Sequence, residues 1–71
     1  MNEVDENEIV WMRNDHRVIA YHPPSRAYRM IEYENDQKAI EMYEDRQVRE
    51  EVIAHLVKEA AGKPWPLKPQ Q

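Results

Sequence analysis

IVWMRNDHRVIAYHPPSRAYRMIEY, residues 9–33, decides the fold. Three β-prone runs lie within it: residues 9–12 (IVWM), 17–21 (RVIAY) and 27–33 (AYRMIEY). Each is rich in β-branched or aromatic side chains that suit a pleated surface. The first gap contains Asn14 and Asp15, which tolerate left-handed backbone and build side-chain turns. The second contains Pro23 and Pro24, neither of which can donate to a strand ladder. Short sequential connections between strands imply an antiparallel meander.

Beyond residue 35 the period of the pattern changes. Asn35 or Asp36 suits a helix N-cap, residues 38–61 contain neither Pro nor Gly, and Gly62 followed by Pro64 supplies a stop. At 100° per residue, Ala39, Ile40 and Tyr43 form one apolar stripe. Val48, Val52, Ile53, Leu56, Val57 and Ala60 form another, roughly 135° away. A break within residues 44–47 reconciles the two, with Asp45 capping a second helix. The expected fold is therefore α+β: a three-stranded antiparallel meander followed by a C-terminal helical segment of one short and one longer helix. The domain is expected over residues 9–62, with an acidic flexible tail at 1–8 and a Pro-rich extended tail at 63–71 (KPWPLKPQQ).

Seventy-one residues support one domain with little apolar surface to bury. At roughly 1.5 kcal/mol of ordering entropy per residue, such a chain folds near balance unless something adds support. With no cysteine, that support cannot be a disulfide. The absence suits a reducing compartment, and an acidic start without an apolar stretch suits a cytoplasmic protein. No apolar run approaches the ~20 residues of a membrane helix. The net charge of −4 is unevenly distributed. Residues 10–31 carry four arginines against Asp15, or +3, and the remainder carries six basic and thirteen acidic residues, or −7.

The strands alternate poorly. Ile9 and Trp11 oppose Val10 and Met12; Val18 and Ala20 oppose Ile19 and Tyr21; Ile31 and Tyr33 oppose Tyr28 and Met30. In any register, apolar side chains occupy both faces. Helices cover one. The other needs the first helical turns, the Trp65 segment, a second copy or another partner.

Several chemistries can be weighed against these residues. Trp11, Arg13, Arg17, Tyr21, Tyr28 and Arg29 resemble in type the mixture that stacks bases and neutralises phosphates, although overall acidity opposes non-specific nucleic-acid affinity. His16, His22 and His55 lack the close ligand spacing of a zinc site, so no metal is expected. Ser25 is the only serine, threonine is absent, and the single glycine excludes a phosphate-cradling loop; no cofactor is expected. Acidic residues on the helices alternate with Lys38, Arg46, Arg49 and Lys58, as on an ordinary solvated helix, and Asp45 with Arg49 suits an i,i+4 pair. Lys63, Pro66 and Pro69 formally match a proline-motif ligand.

These features lead to a small non-catalytic protein-binding module, a regulator or inhibitor of a larger partner, or a homodimer. Its expected contact residues are Trp11, Arg13, Arg17, Tyr21, Tyr28, Arg29 and Trp65. The alternative is a nucleic-acid-binding domain using the same arginine and aromatic set. Protein association is expected to fail on Trp11→Ala, and nucleic-acid association on Arg17→Glu or Arg29→Glu.

Overall fold

The computed structural model describes residues 4–63. A 3-10 turn at Glu6–Glu8 leads into strands β1 (Val10–Asn14), β2 (Arg17–His22) and β3 (Ala27–Glu32), then helices α1 (Asp36–Glu44) and α2 (Arg46–Ala61). The strands form one antiparallel sheet in the order β1-β2-β3. This is the α+β meander and short-then-long helix pair expected from the sequence. The lead-in contains an ordered feature: the Asp5 side chain accepts from the Asn7 N–H at the start of the 3-10 turn.

Two left-handed residues make the hairpins. Asp15 has φ 57° in the loop that pairs Asn14 with Arg17, and Arg26 has φ 61° at the end of the proline turn. The Arg26 N–H donates to the Pro23 carbonyl, closing that turn at 3.2 Å. Asp tolerates this backbone conformation; Arg, with its Cβ, pays about 1–2 kcal/mol for it.

The helix break falls at Asp45, which ends α1 and starts α2 with φ −80° and ψ 119°. Its carboxylate accepts the Gln47 and Val48 N–H groups at 2.8 and 3.1 Å. That capping role takes the place of the expected pairing with Arg49, whose side chain points elsewhere. Asn35 caps α1 by accepting the Lys38 N–H. Gly62 occupies the C-cap, but with φ −90°, so the left-handed conformation usual for a capping glycine is not used.

Register assigns every strand side chain to a side. Trp11, Ala20 and Arg29 share one row, as do Arg13, Val18 and Ile31; His22 pairs with Ala27. These rows face the helices: α1 lies against β1 and β2, and α2 against β2 and β3. The core joins Ile9, Ala20 and Ala27 to Val52, Leu56 and Ala60, with Trp11, Ile31, Val48 and Ile53 at its margin. Among the described residues eight hydrophobic side chains are buried, and four of them are alanines: Ala20, Ala27, Ala39 and Ala60.

Candidate functional site

The opposite side of the sheet carries the larger side chains. Val10, Tyr21 and Tyr28 form one cross-strand row and Met12, Ile19 and Met30 the next. Val10, Met12, Tyr28 and Met30 are 45, 47, 49 and 43% exposed. Ile19 and Tyr21, on the central strand, are partly buried by their neighbours. Among the described residues no element lies over this face. Six adjoining apolar or aromatic side chains thus meet solvent in a patch that an isolated soluble domain rarely leaves open.

The third row of the face is polar. Asn14, Arg17 and Glu32 align across the strands, and the Arg17 Nε donates to Glu32 Oε2 at 3.0 Å. His16 Nε2 lies 3.4 Å from the same oxygen. The Arg17 hydrogen bond, followed by that of His16, holds the Glu32 carboxyl below its ordinary range. This row closes one end of the patch with a locally neutralised pair.

The contact residues expected from the sequence divide between the two sides. Tyr21, Tyr28 and Arg17 belong to the open face. Trp11, Arg13 and Arg29 belong to rows on the helix side. Trp11 is partly buried there, with the Arg49 guanidinium 4.6 Å from its ring centroid and 4.7 Å from that of Tyr43. Arg49 Nε also donates to the Tyr43 carbonyl at 2.7 Å, so one side chain ties β1, α1 and α2 together. Trp11 therefore serves the interior, and the effect expected of Trp11→Ala on a docking surface shifts to a loss of packing. Arg13 donates to the Asp15 carbonyl within its own hairpin. Trp65 and the proline motif at Pro66 and Pro69 lie outside the described residues.

Met12, Ile19, Met30 and Val10 complete the patch and were not among the expected contact residues. The signal for them was the two-residue loop at Asp15 and His16, which sets the register and puts Trp11 opposite Ala20 rather than beside Tyr21.

A second arrangement was also unforeseen. Ser25 Oγ lies 2.6 Å from His22 Nδ1, and Glu8 Oε1 lies 3.3 Å from His22 Nε2. A serine, a histidine and a carboxylate in line suggest nucleophilic catalysis. Burial decides otherwise, because His22 and Ser25 are both 0% exposed. The serine oxygen also accepts the Ala27 N–H at 3.2 Å, so the hydroxyl is held between the imidazole and the start of β3. The hydroxyl has no route to a substrate. The trio fastens the proline turn and the 3-10 turn to the sheet.

Among the described residues no cluster of three or more His, Cys, Asp or Glu side chains is placed to hold a metal ion. None of the described helices is long and apolar enough to cross a membrane. A shallow depression lined by Glu6, Glu44, Arg46, Arg49, Glu50 and Ile53 is walled by charges of both signs. Comparison with known proteins finds no matching family, curated protein or solved structure.

Proposed function

We propose that this chain is a small non-catalytic protein-binding module whose working surface is the sheet face formed by Val10, Met12, Ile19, Tyr21, Tyr28 and Met30. The observation carrying this reading is the exposure of that face: Val10, Met12, Tyr28 and Met30 stand 43–49% exposed, with no described element over them. Taking such side chains from full exposure to full burial is worth about 1.5–3 kcal/mol each, and roughly half of that is still to be gained at this exposure, which makes the face a reservoir of binding energy. Flat aromatic and methionine surfaces suit protein partners, because tyrosine loses little entropy on contact and methionine adapts its shape. A role as regulator or inhibitor of a larger cytoplasmic protein accords with the chain's size and lack of cysteine.

The nucleic-acid alternative is weakened by the division of the arginines. Only Arg17 shares the open face with the two tyrosines, and Glu32 already neutralises it. A surface that stacks bases also needs free cations to hold phosphates.

Capture from extract of the native cell tests the reading. Proteins retained by the intact chain should survive nuclease treatment and added salt, and should be lost with Met30→Asp but kept with Glu51→Lys on α2. Capture abolished by nuclease, or unchanged by Met30→Asp, would overturn it.

A further inference from the structure

Building on that reading, we infer that the partner of the open face is a second copy of this chain, the two sheets stacking face to face with the helices outside. Three observations point to this occupant.

Charge comes first. The chain carries −4, so two copies repel unless their acidic surfaces stay apart. The two helices and the Asp45 between them hold seven acidic and four basic residues, a net of −3, and lie on the side away from the patch. Among the described strand residues of the open face, the only full charges are Arg17 and Glu32, which neutralise each other. Stacked sheets sit about 10 Å apart, and each helix layer adds about as much again. The acidic surfaces of the pair are then separated by more than two Debye lengths of about 8 Å. Contact through this face avoids the repulsion that contact through the helices would incur.

The start of the β3 edge is also occupied. Glu59 Oε1 accepts the Tyr28 N–H at 3.4 Å, and Lys63 Nζ donates to the Arg26 carbonyl at 2.9 Å while pairing with Glu59 Oε2 at 3.1 Å. The end of α2 thus occupies backbone groups that another strand would need. Edge strands blocked by charged side chains resist edge-to-edge pairing, which disfavours pairing along that end of β3.

The patch is also sized and shaped for self-pairing. Three strands about 4.8 Å apart and six residues at about 3.3 Å each make the whole open face, polar row included, a slab roughly 14 by 20 Å. Two such slabs with their side-chain walls remove on the order of 1,000 Å² from water, the lower limit for a specific interface. Ile19 is the middle residue of the middle row, between Met12 and Met30. A two-fold axis running along β2, midway between the stacked sheets, sets each apolar row against its own copy, giving the self-complementary contact of a symmetric dimer.

Sedimentation equilibrium of the full chain, from about 1 µM to 1 mM, reads the dimer in the range an interface of minimal size supports. The expected result is a monomer–dimer equilibrium whose Kd rises by roughly tenfold or more in Met30→Asp, with the circular dichroism spectrum unchanged. A single-cysteine variant, Met30→Cys, provides the second readout: its maleimide labelling should slow as protein concentration rises. Association that persists in Met30→Asp would overturn the pairing by placing it elsewhere. A monomer throughout, with rapid labelling, would overturn the pairing yet leave the face open for a different protein. A monomer with labelling blocked at every dilution would show the face covered by its own chain, residues 64–71 included, and would overturn the binding-module reading as well.

Discussion

Tyr21 and Tyr28 are direct cross-strand partners on the side of the sheet that the helices leave open. On the covered side, the next row sets Ala20 beside Arg29 and the row beyond Tyr28 sets Ala27 beside His22. In these rows the tyrosines meet water and the alanines meet the helices.

This contrast predicts opposite mutational responses on the two sides. Tyr28→Ser removes cross-strand contact at a site 49% exposed and should cost at most about 1 kcal/mol. Ala20→Leu forces extra volume under α1 and α2, where Ala20 is 1% exposed, and should cost about 1–3 kcal/mol. Urea midpoints of the two variants, taken at a concentration that keeps the chain monomeric, check the ordering.

Ser25 should behave as a structural residue. Ser25→Ala leaves the buried His22 Nδ1 and the Ala27 N–H without the hydroxyl that serves both, at a cost of about 1–3 kcal/mol. A fluorophosphonate probe should leave the native protein unlabelled at Ser25. Stoichiometric labelling there would show a reactive, accessible hydroxyl.

Arg49 should matter more to the fold than its partly exposed position suggests. Arg49→Met removes two ring contacts and the bond to the Tyr43 carbonyl, and should cost about 1–3 kcal/mol. Its effect should include a change in Trp11 emission, read in a Trp65→Phe background. Unchanged emission and an unchanged midpoint would mean that the stack contributes nothing.

Glu32 should titrate below its ordinary value of 4.5, with Arg17 the larger cause and His16 the smaller. A depressed carboxyl favours the fold above its unfolded pKa, and that contribution fades as pH falls through the folded pKa. Because the group is exposed, the effect on stability should be small. Carboxyl NMR should therefore show Glu32 titrating low in the native chain and moving upward in Arg17→Met. A Glu32 titration that does not respond to Arg17→Met would remove the pair from the face.

Much of the fold was legible in the sequence because local chemistry dominated it. Asn14 and Asp15 marked the first hairpin, Pro23 and Pro24 the second, and the phase mismatch between Ala39, Ile40, Tyr43 and the later stripe marked the break that Asp45 caps. The composition of the site was less legible. Trp11 drew attention by its size, yet strand register turns it toward Arg49 and leaves Met12 outward. His22 and Ser25 form a buried bond that depends on the three-dimensional course of the proline turn, and sequence spacing carries no sign of that burial. The surplus of apolar surface was readable; which residues composed it required the register.

The openness of the sheet face is tested most directly by the methyl signals of Met12 and Met30 in dilute solution with a soluble nitroxide. The account predicts that both broaden strongly, far more than the methyls of the buried Val52 and Leu56. If Met12 and Met30 prove as protected as Leu56 at every dilution, the face is not a binding surface.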